Sequence, residues 1–374
     1  MSPRRWSDLR RLLPCILAIG FAADVGLRLV PPERFAFRAW EALTLRPTAE
    51  GPFAPGRAFH TDRAFGDLAN IGNLPAYRRY RAETFTTDAH GFRVPGAVVP
   101  GPVRVVLFGD SYGAGAALSD EETFTAQLGT LFGVATYDAA GRREQSVLQV
   151  VRRLGLRGGW VVWEELERAD PPPAAATATT IVPPPSGWMA VPRLARRAVD
   201  ETRARLAYSP LRILLGRAYR VIQDDRWLPN VPAAEVAQRT LADGEGILFL
   251  ASEVAGYGRA RPVDAAGYEA LDRAVASTGN HLLVLLVPDK YDVYAPLLTE
   301  APAEPAHPYL DRLAATLHAR GVAAISLRAA LRTVAAEARA RGADAYRTDD
   351  SHWGPLAVRS AAIEAGTLMF GAPH

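Results

Sequence analysis

Cysteine is almost absent from the sequence, since Cys15 is the single cysteine among 374 residues. A chain with one cysteine forms no internal disulfide and holds no cysteine-ligated zinc or iron–sulfur centre. Histidine is scarce as well, and the seven histidines show no spacing typical of a zinc site. The sequence therefore predicts neither a metal nor a cofactor.

An excess of one charge is also lacking, because the formal net charge is only +3 at pH 7. The basic residues are mostly arginines dispersed among acidic residues, and they form no dense stripe and no recognition motif. We therefore predict no nucleic-acid partner. With 49% hydrophobic and 22% charged residues, the chain can bury a sizeable globular core.

The N-terminal segment, residues 1–30, combines a basic flank with a short apolar run at residues 12–23. This order is typical of a secretory signal or a signal anchor. Asp24 and Arg28 make the segment a poor membrane span, and no good Ala-x-Ala cleavage site follows it, so an uncleaved membrane-targeting helix is favoured. We expect a periplasmic protein held at the inner membrane by this segment. The alternative is an ordinary buried helix.

The rest of the chain divides into four parts. Residues 31–100 form an irregular lead-in, rich in turn residues, packed on the domain that follows. Residues 101–168 and 246–374 alternate short apolar strands with amphipathic helices, which predicts an α/β parallel sheet flanked by helices. Between them, residues 169–245 read as a proline-rich linker followed by a helical insertion.

A serine follows the first strand of the predicted sheet, in the stretch "RVVLFGDSYGAGAAL" at residues 104–118. Catalytic groups in open α/β sheets lie at the carboxyl ends of strands, which is where Ser111 falls. Gly113 and Gly115 allow a substrate to approach, and backbone N–H groups here can face a developing oxyanion. A structural or nucleotide-binding turn is the alternative reading.

A histidine with neighbouring acids lies near the other end of the chain, in "TDDSHW". A serine hydroxyl becomes nucleophilic when a histidine removes its proton and a carboxylate orients the histidine. His352 follows Asp349 by three residues and Asp350 by two. Together with Ser111, these residues predict a Ser-His-Asp site for acyl transfer.

The Gly-Asp-Ser block and the final Asp-x-x-His or Asp-x-His block resemble the SGNH (GDSL-type) hydrolase superfamily, which implies a flavodoxin-like sheet. Further stretches, "TTDAHGFR", "VVWEELER" at 161–168, "VPDKYDVY" at 287–294 and "DSHW" at 350–353, narrow the resemblance. Together they resemble the SGNH-like domain of periplasmic alginate O-acetylation proteins, over residues 84–366.

This resemblance implies transfer or removal of acetyl groups on an exopolysaccharide, with an acetyl-enzyme at Ser111 and His352 as general base and then general acid. The family's Asp-x-His pattern selects Asp350 to orient the histidine, and the broader superfamily's pattern selects Asp349. The oxyanion hole would comprise the Ser111 N–H and Gly141, the counterpart of the second-block glycine. The partners implied are a polysaccharide and a membrane-bound protein that supplies the acetyl group.

The chain departs from the general superfamily at the Gly-x-Asn-Asp block, where residues 163–168 read "WEELER". A carboxylate does not donate a hydrogen bond to an oxyanion, and loss of one such donor costs about 3 kcal/mol of transition-state stabilisation. The acetylation family shows the same Trp-Glu-x-x-Glu-Arg pattern. Glu164, Glu167 and Arg168 are therefore predicted to bind substrate or to form a salt-bridged strand end.

Further residues are predicted to bind substrate or to support the site, and these are Asp110, Tyr112, Lys290, Tyr291 and Trp353. Lys290 and Tyr291 follow a strand end, where a loop can contact sugar hydroxyls or carboxylates. Asp88 and Arg93 are assigned to a structural turn with an arginine clamp, in preference to substrate contact.

Two other functions stay open beside O-acetyl transfer. The same triad would act as a carbohydrate acetyl-esterase if water replaced the sugar. A polysaccharide-binding or scaffold component of an export complex is the third reading, and the missing asparagine block favours it. Three glutamates near the end of one strand suggest the paired carboxylates of a glycosidase, but the sequence offers no partner acid at a comparable position.

Overall fold

A computed structural model describes residues 3–30, 34, 36–44, 51–96, 99–141, 146–168, 210–224 and 234–373. The proline-rich linker predicted to begin at residue 169 lies outside the described residues as far as residue 209. Of the predicted helical insertion, only residues 210–224 and those from 234 onward are described.

The helices and strands of residues 101–168 alternate as the sequence periodicity predicts, whereas in residues 246–374 each strand is followed by two helices. The helices are α1 (Pro3–Leu27), α2 (Ala39–Thr44), α3 (Asp67–Ile71), α4 (Phe124–Phe132), α5 (Val147–Leu154), α6 (Pro210–Asp224), α7 (Ala251–Gly256), α8 (Ala266–Ala276), α9 (Lys290–Tyr294), α10 (Tyr309–Ala319), α11 (Arg328–Arg339) and α12 (Pro355–Phe370). The strands are β1 (Ala58–Ala64), β2 (Arg81–Thr86), β3 (Val105–Phe108), β4 (Thr136–Asp138), β5 (Trp160–Leu166), β6 (Val236–Thr240), β7 (Gly246–Leu250), β8 (His281–Val287) and β9 (Ala324–Ser326).

A five-stranded parallel sheet forms the centre, with the strand order β4-β3-β5-β8-β9. Its strands pair in parallel throughout, so the predicted α/β fold with a flavodoxin-like sheet is confirmed. In this order the chain moves outward in opposite directions on either side of β3 and β5. Ligands of open α/β sheets bind in the crevice outside the strand ends at such a switch point.

Both faces of the sheet are covered by helices. Alternate residues of β3 divide between two apolar clusters, with Val105 and Leu107 in one and Val106 and Phe108 in the other. The first cluster packs against α4, α11 and α12, and the second against α5, α8 and α10. Burial on both faces explains why these strands read as continuous apolar runs in the sequence.

The lead-in is more ordered than the expected irregular segment. Strands β1 and β2 form an antiparallel pair, and the short helix α3 lies between them in the chain. Gly66, which precedes α3, lies so close to the chain near the C-terminus that an added Cβ would come within 1.9 Å of the Asp349 carbonyl oxygen. Only glycine fits here without displacing backbone, so the lead-in is packed directly onto the turn that carries the predicted acids.

The N-terminal segment forms one helix, α1, with many exposed apolar side chains. It contacts α6, where the Leu211 N–H donates a hydrogen bond of 3.2 Å to an Asp24 carboxylate oxygen. Among the helices in the described part of the chain, none combines the length and apolar character needed to cross a membrane.

Part of the predicted insertion adds a strand. β6 pairs with β7 in an antiparallel hairpin, and the Leu248 N–H of β7 donates to the Thr348 carbonyl at 3.0 Å. The hairpin thereby supports the turn that precedes the predicted histidine.

Candidate active site

The turn after β3 presents Ser111 at the switch point of the sheet. The Asp110 N–H donates to Glu164 Oε2 of the neighbouring strand β5 at 3.0 Å, and Asp110 Oδ1 accepts from the Tyr112 N–H at 2.9 Å. A Cβ at Gly109 would lie 2.3 Å from Glu164 Oε2. The glycine and the glutamate together fix the point at which the strand ends and the serine begins.

Ser111, His352 and Asp350 form a continuous hydrogen-bonded chain. His352 Nε2 lies 2.9 Å from Ser111 Oγ, and His352 Nδ1 lies 2.7 Å from Asp350 Oδ1. His352 is 5% exposed and Asp350 is fully buried, while Ser111 is half-buried. This is the geometry in which a carboxylate orients a histidine and the histidine takes a proton from a serine.

Several donors surround the Asp350 carboxylate. Its Oδ2 accepts hydrogen bonds of 3.1 Å from the Asp67 N–H and from the Arg81 guanidinium, and Arg38 lies 3.7 Å away. Burial alone would raise the pKa of Asp350, but the hydrogen bond with His352 and the charges of Arg38 and Arg81 hold it well below its usual range. Asp350 therefore remains ionised beside the histidine.

Asp349, the alternative orienting acid, contacts the lead-in. Its carboxylate accepts from the N–H groups of Gly66 and Arg79, at 2.7 and 3.0 Å, and pairs with the Arg81 guanidinium at 3.1 Å. Of the two candidate acids, the one within hydrogen-bond distance of the imidazole is Asp350. Asp349 instead fixes the lead-in to the turn.

Asp67 is a neighbour of the histidine that the sequence analysis did not identify. Its carboxylate accepts from the Ser351 N–H at 2.7 Å and from the Ser351 hydroxyl at 2.6 Å, and it lies 3.6 Å from His352 Nδ1. The sequence around Asp67 carries no motif that would have marked it. Arg38 and Arg81 also lack a marking motif, and each reaches the site from a distant part of the chain.

Asp67, Asp350 and His352 also form a group whose potential metal-binding atoms lie within 4.8 Å of one another. The same atoms are used in the hydrogen bonds to His352 and Ser351. The arrangement is therefore suited to orienting an imidazole. In a metal site, by contrast, the oxygen and nitrogen atoms would be available to bind a cation.

The oxyanion hole differs from the sequence prediction at Gly141. The Gly141 N–H donates to the Gly109 carbonyl at 3.0 Å, so it is already engaged within the sheet edge. The glycine follows β4 with a φ of +107°, and this backbone conformation turns its N–H toward the end of β3. Among the described residues, none accepts a hydrogen bond from the Ser111 N–H, which leaves that group as the candidate donor to an oxyanion.

Two aromatic residues support the triad from the interior. The Tyr112 ring lies 4.8 Å from the His352 ring, and its hydroxyl donates to the Ser351 carbonyl. The Trp353 indole N–H donates to the Tyr112 carbonyl at 3.1 Å. Both side chains are buried, so they pack beneath the site and do not offer surfaces to a substrate.

Arg168 links the triad to an acidic cluster at the ends of β5 and β8. Its guanidinium donates to Glu253 at 3.0 Å and to Asp289 at 2.9 Å, and lies over the Tyr112 ring. Burial and the charge of Asp289 raise the pKa of both Glu167 and Glu253 to about 8. A cavity of about 580 Å³ adjoins this cluster, with Glu167 and Arg168 in its wall.

Lys290 and Tyr291 lie in the interior. Lys290 is fully buried, and Tyr291 packs edge-on against Phe249 and Tyr257 with ring centroids 5.1 and 5.2 Å away. The two residues begin α9, all of whose residues are buried, so the expected contact with sugar is not the contact observed.

Arg93 clamps the segment that follows the serine turn. Its buried guanidinium donates to the carbonyls of Ala114 and Leu118, at 2.9 and 2.6 Å, and pairs with Asp120 at 3.2 Å. Asp88 accepts from the Tyr137 hydroxyl at 2.6 Å and closes a turn of its own. The arrangement is the structural turn with an arginine clamp that the sequence favoured.

Comparison with known families adds one match. Residues 246–369, about one third of the chain, match the family described as "SGNH hydrolase-like domain, acetyltransferase AlgX". The matched part includes Asp350 and His352 and excludes Ser111. A search of curated proteins finds no match. The family match and the parallel sheet indicate a domain of the hydrolase and acyltransferase type. Residues 246–369 are similar to the SGNH hydrolase-like domain of that acetyltransferase family, as the sequence resemblance predicts.

Proposed function

We propose that this protein is an O-acetyltransferase that passes an acetyl group through Ser111 to a hydroxyl group of an exopolysaccharide. The observation that carries the proposal is the hydrogen-bonded chain from Ser111 through His352 to Asp350, with distances of 2.9 and 2.7 Å. The family match to an acetyltransferase supports acetyl as the group transferred.

In the first half-reaction, Ser111 Oγ attacks the carbonyl carbon of an acetyl ester while His352 Nε2 takes the serine proton. Asp350 holds the imidazole by Nδ1 and stabilises the imidazolium that forms. The tetrahedral oxyanion faces the Ser111 N–H. The bond to the leaving group then breaks, His352 returns the proton to that group, and an acetyl-serine remains.

In the second half-reaction, a sugar hydroxyl attacks the acetyl-serine and gives its proton to His352. The bond between the acetyl carbon and Ser111 Oγ breaks, and the serine regains the proton. If water replaced the sugar, the same steps would make an esterase. Glu164 occupies the place of the asparagine donor and accepts from the turn, so one oxyanion contact is lost, and this slows hydrolysis and acetyl transfer alike.

We further propose that the chain is periplasmic and attached to the inner membrane through α1, with a membrane-bound partner supplying the acetyl group. The basic flank and apolar run of residues 1–30 support attachment, as do the exposed apolar side chains of α1. Fractionation of cells that produce the full chain, or a chain without residues 1–30, tests this. Recovery of both forms in the same soluble fraction would contradict it.

The catalytic proposal is tested with the full chain and a chromogenic acetyl ester. Wild type should release the chromophore and carry an acetyl group on the Ser111 peptide by mass spectrometry, and Ser111→Ala should do neither. Ser326→Ala is the matched control, because this serine lies at the end of β9 and bonds to Asp311. It should retain wild-type activity.

Adding oligosaccharides then separates the functions. Acetylated sugar formed at the expense of free acetate supports the transferase, and acetate alone supports the esterase. Folded wild type with no cleavage and no adduct would overturn the proposal in favour of a binding or scaffold role.

A further inference from the structure

Lys290 is the single lysine of the chain, and its side chain is fully buried. Its Nζ lies within hydrogen-bond distance of four backbone carbonyl oxygens. These belong to Leu248 at 2.6 Å, Arg347 at 2.7 Å, Asp350 at 2.9 Å and Thr348 at 3.2 Å. An ammonium group has three N–H donors, so every donor has an acceptor and the cation is held entirely by backbone.

Three of the four carbonyls belong to one turn, residues 347–350, which ends two residues before His352. The fourth belongs to β7, whose Leu248 N–H also bonds this turn through the Thr348 carbonyl. The ammonium therefore fixes the turn against β7 and α9. The Asp350 residue is held at both ends, because Lys290 takes its carbonyl oxygen while His352 takes its carboxylate.

The surroundings of Lys290 are acidic. Burial lowers its pKa to about 8, and the carboxylates of Glu253, Asp349, Asp350 and Asp67 oppose that change. Loss of the charge would remove the cation that faces these acids from the interior, and would leave buried carbonyls with fewer donors. A neutral apolar side chain of similar length supplies neither the positive charge nor the three N–H donors.

We propose that Lys290 is a positioning residue for acetyl transfer, whose ammonium holds the turn 347–350 so that the Asp350 carboxylate meets His352 Nδ1. The inference rests on the proposed function for its effect on rate. Lys290 itself touches no substrate, since it is fully buried. It acts through Asp350, and its loss should change the orientation of the acid and the imidazole.

The test uses Lys290→Met in the full chain. We expect kcat for a chromogenic acetyl ester to fall between about 10-fold and 100-fold, because small displacements of catalytic groups are costly, with KM unchanged. The low-field proton resonance of the His352–Asp350 hydrogen bond should shift or disappear. A variant with wild-type kcat and an unchanged resonance would overturn the proposal.

The matched control is Arg328→Met. Arg328 is also a buried cation, and it pairs with Asp292 at 2.7 Å and with Glu304, neither of which belongs to the turn 347–350. Its loss should lower the free energy of unfolding while kcat and the low-field resonance stay at their wild-type values. Equal effects of both variants on the resonance would show a general loss of structure and would contradict a role specific to Lys290.

A rescue experiment covers the case in which Lys290→Met does not fold. Lys290→Cys in a Cys15→Ser background is alkylated under denaturing conditions and then refolded. One alkylating reagent gives a side chain that carries an ammonium group at the length of lysine, and a second gives a side chain one methylene longer. The lysine-length product should recover kcat and the resonance, and the longer product should not. Equal recovery by both would overturn the proposal. The resonance is measured without turnover. If the protein transfers no acetyl group but its resonance still depends on the Lys290 ammonium, the proposed function is wrong and the positioning of Asp350 by Lys290 still holds.

Discussion

The Asp67 carboxylate holds Ser351, a residue 284 positions later in the chain, by both its backbone N–H and its hydroxyl. Through this contact the lead-in places a second carboxylate 3.6 Å from His352 Nδ1, beside the one supplied by Asp350. An imidazolium formed during proton transfer would be stabilised by both negative charges. The lead-in is thereby part of the site's electrostatics as well as its packing.

Asp67→Asn should therefore lower kcat by about 10-fold with little change in KM, because the charge beside the imidazole is lost while the shape is kept. Steady-state kinetics with a chromogenic acetyl ester measures this.

Asp62→Asn is the control, because Asp62 is an exposed acid in β1 of the same lead-in. It should behave as wild type. If Asp67→Asn also kept the wild-type kcat, the second carboxylate would have no part in catalysis.

The two adjacent acids should respond differently to the same substitution. Asp350→Asn should reduce kcat by about 10³-fold to 10⁴-fold, because an amide no longer fixes the imidazole tautomer. Asp349→Asn should lower the free energy of unfolding by about 2 kcal/mol, because the Asp349 carboxylate accepts two backbone N–H groups through Oδ2 and an arginine N–H through Oδ1.

Ester kinetics and urea unfolding, applied to both variants, separate these effects. Asp349→Asn should stay within about threefold of the wild-type kcat. The reverse pattern, with the larger loss of rate in Asp349→Asn, would show that Asp349 orients the histidine and that the assignment to Asp350 is wrong.

Glu164 is expected to act as an acceptor for the serine turn, and its charge is not needed for that contact. Its Oε2 accepts from the Asp110 N–H at 3.0 Å. Glu164→Gln keeps an acceptor oxygen and should retain most of kcat, whereas Glu164→Ala should lose about 10-fold because the buried N–H is left unpaired.

The measurement is the rate of acetyl-serine formation in the three proteins. If Glu164→Gln were as slow as Glu164→Ala, the carboxylate charge itself would be required, and a direct role for Glu164 in proton transfer would follow.

The fold was largely predictable because the three inner strands of the central sheet, β3, β5 and β8, are buried on both faces. Such strands appear as continuous apolar runs, and β8 with the sequence "HLLVLLV" is the clearest. The strand pair β1–β2 was not predicted, because its residues alternate irregularly between exposed and buried positions and carry little apolar signal.

The site was predictable only where a motif is local. Ser111 and the "TDDSHW" acids lie in short stretches with recognisable spacing. Asp67 and the role of Lys290 depend on contacts between segments that are distant in the chain, and a single sequence does not encode those as a pattern. Lys290 and Arg93 also show why a charged residue near a strand end is ambiguous. Both are buried cations that bind backbone carbonyls of the two catalytic turns.

The acidic cluster at Arg168 should make the stability depend on pH. Burial and the charges of Asp289 and Asp292 raise the pKa of Glu167 from 4.5 to about 8. Because the folded pKa lies above the unfolded one, the folded state binds an extra proton between about pH 4.5 and 8, and the free energy of unfolding should fall as pH rises through that window.

Glu167→Gln removes this titration, so its free energy of unfolding should fall less over the same range. Urea unfolding at several pH values measures the difference, and Glu300→Gln, at an exposed position, should follow wild type. Parallel curves for wild type and Glu167→Gln would show that Glu167 is ionised in the folded protein throughout the window, and the cluster would then have to be held by Arg168 strongly enough to keep all its acids charged.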